Sequence, residues 1–224
     1  MESLGNPIDV KYNGDSNIER ITAKLTKYRD TYSDRQITTK SLLSSKRKTN
    51  GSSSVEMLVE DGLLEQLNRH ESTAEQVFGK WDYLSHQVAA SPMKPVQYMD
   101  FIDVFGYKWI QGIDNHVVDE YLIVEIKKDS LDGLSADGAA NQLMKYVDWV
   151  CEHYTGGNYA RIKAFLVAHG FPQGQDTHSN VSTRNYIAGY RPAQTKTWDN
   201  LTLVTYDIAP DGTLHFLPYT SRRN

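Results

Sequence analysis

The sequence predicts an α/β protein: a mixed central sheet flanked by helices, with a small helical arm at its N-terminal end. Three stretches carry that prediction. Asp103 to Lys127 holds two apolar, β-branched and aromatic runs around a polar turn containing Gly112 and Asn115, the pattern of a hairpin. Ala139 to His153 has Leu143, Met144, Val147 and Val150 at helical spacing, and the apolar run Ile162 to Ala168 follows as a buried strand. Leu201 to Tyr219 reads as a second hairpin around an Asp211-Gly212 turn.

The rest of the chain takes its place around these stretches. Residues 1–15 are punctuated by Gly5, Pro7 and Asn13-Gly14-Asp15. Ile18, Ile21, Leu25 and Tyr28 then form a helical stripe, with Ser16 and Glu19 spaced as a capping box. Ser33 and Asp34 restart a short helix or turn towards Leu42-Leu43. Residues 44–54 are polar and basic and read as a flexible linker. We therefore expect a basic arm and linker over 1–54 and the main domain over 55–224. Val55 to Leu67 has helical spacing interrupted by Gly62, so two pieces are expected. Another helix is expected over Thr73 to Ala90, ended by Pro92 and Pro95. Asp129 to Gly138 and His169 to Ser182 read as loops.

With 39% hydrophobic residues, 224 residues suffice for one sizeable core. The single cysteine, Cys151, excludes an intrachain disulfide and a Cys-based zinc site. There is neither an apolar run of about 20 residues nor a leader-like start, so a cytoplasmic, reducing location without membrane is expected. The net charge of −4 is uneven, because residues 1–50 carry 10 Lys and Arg against 6 Asp and Glu. Lys46-Arg47-Lys48 is either a phosphate-contacting patch or a solvated linker.

Charge stands out on the Leu122–Lys127 strand. Alternation puts Ile123, Glu125 and Lys127 on one face and Leu122, Val124 and Ile126 on the other. A carboxylate and an ammonium in such company are costly unless they are paired or bind a metal. Phosphodiester hydrolysis with Mg²⁺ needs one or two carboxylates, open positions for water and phosphate, and a cation near the reacting oxygens. Asp103, Glu125 and Lys127 supply these parts, and the backbone carbonyl of Ile126 can join them. Gln142 and Tyr146, at i and i+4, share one helix face that could hold a water or phosphate oxygen.

Ile102-Asp103-Val104, then Val124-Glu125-Ile126-Lys127-Lys128, then Gln142-Leu-Met-Lys-Tyr146 resemble the PD-(D/E)XK nuclease superfamily, in particular its NucS-like and restriction-endonuclease-like members. The resemblance covers Val96 to Ala168. It implies a restriction-endonuclease-like sheet and a Mg²⁺- or Mn²⁺-dependent DNA endonuclease of restriction, defence or repair. Asp103 and Glu125 would hold the metal, with Ile126 a further ligand; Lys127 would assist the water, and Gln142 would be accessory. Two features depart from the family pattern. Ile102 stands where the nominal motif has Pro, and 22 positions separate Asp103 from Glu125, so an extended hairpin is required.

Other readings stand beside this one. Asp103 and Lys127 would also serve simply as a buried cross-strand salt bridge, with Glu125, at a sheet edge. Glu60, Glu65 or Glu71 would supply a helix-borne carboxylate, or be ordinary surface residues. Asp100 has the wrong parity for a ligand, and Lys128 reads as surface. Tyr146 and Trp149 read as packing residues; His86, His153, His169 and His178 lack metal-ligand spacing. A nucleic-acid-binding or assembly module with the same fold but no turnover is the alternative function. A helix-turn-helix regulator acting through residues 16–50 is more remote. His169 to Arg191 is the expected base-reading segment. Cutting both strands would call for a homodimer or a protein partner.

Overall fold

Residues 20–25, 27, 38–112, 117–172 and 179–219 are described by the computed structural model. The chain forms two compact units, 1–38 and 39–224. In the first, residues 20–25 are helical, within the span where a helix is expected. Ser16, Glu19, Ser33 and Asp34 lie outside the described residues.

In the second unit, helices α1 (Thr39–Lys46), α2 (Glu56–Asn68) and α3 (Ser72–Phe78) precede strands β1 (Tyr83–Ala89), β2 (Phe101–Trp109) and β3 (Val118–Ser130). Helix α4 (Gly133–Tyr154) leads to β4 (Ile162–Gly170). Then come the short α5 (Ser179–Ser182), the pair β5 (Arg184–Ala188) and β6 (Gln194–Trp198), and the pair β7 (Leu201–Ile208) and β8 (Leu214–Pro218). Six strands form one sheet in the order β1-β2-β3-β4-β7-β8; β5 and β6 form a separate ribbon. The pairs β3–β4 and β4–β7 are parallel, and the others in the large sheet are antiparallel. This is the predicted mixed sheet flanked by helices. Among the described residues no helix is long and apolar enough to cross a membrane.

The alternation read from β3 is the one that builds the core. Tyr121 and Ile123 pack with Leu143, Met144, Val147 and Val150 of α4. Leu122, Val124 and Ile126 pack on the other face with Val59, Leu63 and Leu67 of α2 and Phe78 of α3. Because both faces are covered, β3 is a near-continuous apolar run and lies inside the sheet, between β2 and β4, rather than at an edge.

Four local expectations are corrected. Val55 to Leu67 is one helix, not two. Gly62 is there for close approach: a Cβ would come within 2.9 Å of Leu214 Cδ2 and 3.1 Å of Leu43 Cδ1. The helix expected over Thr73 to Ala90 stops at Phe78, where Gly79 adopts φ 87°, a conformation that favours glycine. The remainder becomes β1, since Tyr83 to Ala89 pairs with β2. Helix α4 starts six residues earlier than expected, because Asp132 and Ser135 form a reciprocal capping box.

The fourth correction concerns the linker. Residues 47–53 are folded into the second unit. Arg47 and Ser53 form a β-bridge, Arg47 Nε donates to the Ile208 carbonyl, and Lys48 pairs with Asp129 at 2.6 Å. Ser52 and Ser53 are fully buried. The Ser53 N–H donates to the Tyr206 hydroxyl at 3.1 Å, and that hydroxyl donates to the Lys128 carbonyl. Arg47 and Lys48 are thus occupied in holding this loop.

Tyr206→Phe would leave a buried N–H and a half-buried carbonyl without that partner. We expect it to lower unfolding free energy by about 1–3 kcal/mol, measured by urea denaturation.

Candidate functional site

The site is built where, at Asp103, one ladder skips a pair and another ends. On one side of Asp103, β1 pairs with β2 at His86–Val104 and Val88–Ile102, but not at the intervening Gln87 and Asp103. On the other side, the β2–β3 ladder ends at Val104–Val124. Asp103 and Glu125 are the residues just past that end on the two strands, and the Asp103 charge reaches Glu125. Beyond that point β2 offers no backbone acceptor to Ile126. The Ile126 N–H donates instead to Asp103 Oδ2 at 2.7 Å.

Three elements close round this gap. From β3, Lys127 Nζ donates to Glu125 Oε1 at 2.5 Å, a contact within one strand rather than the cross-strand Asp103–Lys127 pair of the ion-pair reading. From β1, Gln87 Nε2 donates to Asp103 Oδ1 at 3.3 Å and to Glu60 Oε2 at 2.9 Å. From α2, Glu60 is buried against that amide, and Glu56 one turn earlier accepts from the Lys128 N–H at 2.9 Å. Of the three helix-borne candidates, Glu60 reaches the site. Glu65 instead pairs with Arg69, and Glu71 is exposed at the start of α3. Asp100 is paired with Lys94 outside β2.

On α4, Gln142 Nε2 donates to the Tyr146 hydroxyl at 2.9 Å. Burial pushes that hydroxyl up to about 12, the Gln142 bond pulls it down, and the charges of Glu125 and Asp103 push it up further. Trp149 instead stacks on His153, and His169 Nδ1 lies 3.1 Å from the Tyr206 carbonyl oxygen.

The electrostatics follow from burying acids with too little compensation. Asp103 is 9% exposed and Glu125 1%. Burial raises Asp103 to about 7; the Ile126 bond opposes this and Glu60 adds to it. Burial raises Glu125 to about 8, with Asp103 adding to it and Lys127 opposing. Glu60 is also raised, chiefly by burial, against the Gln87 bond. Burial alone would lower Lys127, but the Glu125 charge and hydrogen bond outweigh it and hold the ammonium up. Two or three acids face one lysine, and Glu125 Oε2 is buried without any hydrogen-bond partner.

That orphaned oxygen, beside a second carboxylate, is what a hard divalent cation would satisfy. Among the described residues no group of three or more His, Cys, Asp or Glu is arranged to hold a metal. Asp103 and Glu125 form a smaller oxygen pair, of the kind Mg²⁺ accepts while keeping several waters.

Gln87 is the residue that sequence reasoning missed. Its φ is 51°, which is uncommon and unfavourable for a residue with a Cβ. Nothing in a Ser-His-Gln-Val run announces that, because the conformation answers to Asp103 and Glu60 rather than to local sequence.

No family model and no curated protein matches the chain. Among solved structures, a repair endonuclease from Pyrococcus abyssi is similar at 22% identity and TM-score 0.31, over 51% of this chain and 39% of that one. A structure of an EndoMS–dsDNA2 complex is similar at 18% identity and TM-score 0.29, over 51% of this chain and 37% of that one. The chain thus spans well under half the length of either.

Two outcomes follow from this geometry. Raised carboxyl groups bind protons more tightly in the folded state, so their stabilisation is whole below about pH 4. It is lost as pH climbs through about 7 and about 8. In metal-free buffer, melting temperature should fall between pH 5 and 8.5, and fall less in Asp103→Asn. If φ at position 87 is set by the site, Gln87→Gly should be about 1 kcal/mol more stable than Gln87→Ala in denaturant titration, because glycine adopts that conformation without strain.

Proposed function

We propose that this chain is a metal-dependent DNA endonuclease of the PD-(D/E)XK type. The observation that carries the reading is the Asp103–Glu125–Lys127 group at the parted end of β2 and β3, with one Glu125 oxygen buried and unpartnered. The surrounding order also supports it: an Asp strand, a Glu-x-Lys strand, a Gln-x-x-x-Tyr helix and a parallel strand beside the second.

Asp103 and Glu125 would hold Mg²⁺ or Mn²⁺, with the Ile126 carbonyl as a further oxygen. When bound, the ion supplies Lewis-acid charge that offsets the negative charge growing on the phosphate. Asp103 is fixed for this by the Ile126 N–H and the Gln87 amide, so little side-chain freedom is lost on binding. Lys127, half-buried and held as an ammonium, would orient the attacking water and donate to a phosphate oxygen. Gln142, bonded to Tyr146 on α4, would be the accessory residue whose amide holds a water or phosphate oxygen. Glu60, bound to the same Gln87 amide, would complete the acidic side. A role in restriction, defence or repair belongs to this reading, as does a homodimer or partner complex when both strands are cut.

Glu125→Ala and Lys127→Ala should each lower Mg²⁺-dependent cleavage of plasmid and branched or mismatched oligonucleotides by at least about 100-fold, with far-UV circular dichroism unchanged. Variants that cut like the parent would refute the assignment. Tight DNA binding with no cleavage in Mg²⁺ or Mn²⁺ would favour a binding module that keeps the fold without turnover.

A further inference from the structure

The β5–β6 ribbon stands apart from the sheet and from the candidate site. An isolated two-stranded hairpin is marginal by itself, yet this one is tied down firmly at its base. Arg184 grips Asp148 of α4 through two bonds of 2.9 Å, and Tyr159 donates to the same carboxylate at 2.9 Å. Across the strand pair, buried Trp198 donates through Nε1 to the Ile162 carbonyl at 3.1 Å. Such anchoring leaves the remainder of the ribbon free to meet solvent without losing its shape.

What it presents is selective. Asn185 and Thr197 face one another across the strands, joined by a 2.9 Å side-chain bond, and Ile187 opposes Thr195 in the same way. All four are exposed, Ile187 at 74%. The face is therefore an amide, two hydroxyls and a branched apolar group, with no charge. Cations lie beside it: Arg191 at the turn, its guanidinium 5.2 Å from the ring centroid of exposed Tyr190, and exposed Lys196 on β6, which alternation sets on the ribbon's other face across from Tyr186. From 184 to 198 there is no Asp or Glu, although the whole chain carries −4. A solvated structural hairpin in an acidic protein has no need of that bias.

We propose that the β5–β6 ribbon enters the major groove of duplex DNA, with Asn185, Ile187, Thr195 and Thr197 against base edges and Arg191 and Lys196 on phosphates. The groove, about 12 Å wide, admits a two-stranded ribbon, and amide, hydroxyl and methyl groups are what base edges there can distinguish. This rests on the nuclease reading and supplies its substrate-recognition element. It also moves that element from the expected His169–Arg191 segment to the hairpin that ends later, at Trp198.

The test is fluorescence anisotropy of the full chain with labelled 20-base-pair duplexes in EDTA, from 50 to 300 mM salt, alongside Mg²⁺ cleavage of the same DNA. In Arg191→Ala/Lys196→Ala the slope of log affinity against log salt should shrink by roughly 2, about 0.9 for each phosphate no longer neutralised. Asn185→Ala should lower affinity by roughly tenfold for the preferred duplex and less for the others. An unchanged slope in the double variant, or an unchanged panel in Asn185→Ala, overturns the ribbon proposal while leaving the nuclease reading intact. A parent protein that neither binds nor cuts DNA overturns both. A double variant with altered mass in light scattering and an unchanged slope makes the ribbon a protein interface instead, and overturns it as well.

Discussion

One hydrogen bond sets the geometry of the candidate site: the Ile126 N–H donating to the Asp103 carboxylate. Inside a sheet a backbone N–H normally finds a carbonyl on the next strand, and leaving it unpaired in the core costs on the order of 1–3 kcal/mol. Here β2 has parted from β3, and a side chain fills the vacancy. The exchange lets the strands diverge without an orphaned donor, and it pins one oxygen of Asp103. Because Glu125 follows Val124 on the same strand, it is left just past the end of the ladder with one oxygen committed to Lys127 and one to nothing.

The rest of the molecule keeps that arrangement from relaxing. Helices cover both faces of β3, so the strand cannot slide by one residue without turning Ile123 and Val124 out of their separate cores. Glu125 consequently has no route to solvent by a change of register. Gln87 closes the third side, held in a left-handed conformation while its amide donates to both Asp103 and Glu60. Strain of this sort persists only where surrounding contacts over-determine it. Buried acids, a single lysine and an engaged amide make a site whose own charges disfavour it until a cation or a proton arrives.

The same economy of anchors recurs at a distance from the site. Tyr206 ties residues 47–53 to β3 through one hydroxyl, and Asp148 ties the β5–β6 ribbon to α4 through Arg184 and Tyr159. In both places a polar side chain, buried or half-buried on a regular element, ties down a segment that lies outside the large sheet. The loop from Arg47 to Ser53 is thereby part of the core unit, and the ribbon is a fixed projection from it.

Local sequence determined much of this by itself. Period-two alternation marked β3 and its two faces, helical spacing marked α4, and the Asp-Gly turn marked β7–β8, because each pattern expresses which side chains must leave water. Asp103, Glu125 and Lys127 were legible since charge amid apolar residues is conspicuous. Other features were not, each for a tertiary reason. Gly62 looked like a break, but it lets Leu43 and Leu214 come close. Tyr83 to Ala89 looked helical until β2 was available to pair with it. The Ser-rich stretch looked like a linker because its partners, Tyr206 and Ile208, lie more than 150 residues away. Glu60 was one of three equal candidates until packing of α2 chose it, and Gln87 carried no local mark. The sequence determined which residues had to be buried and which carried chemistry; only the tertiary structure decided which of them meet, because meeting depends on where one ladder breaks and another ends.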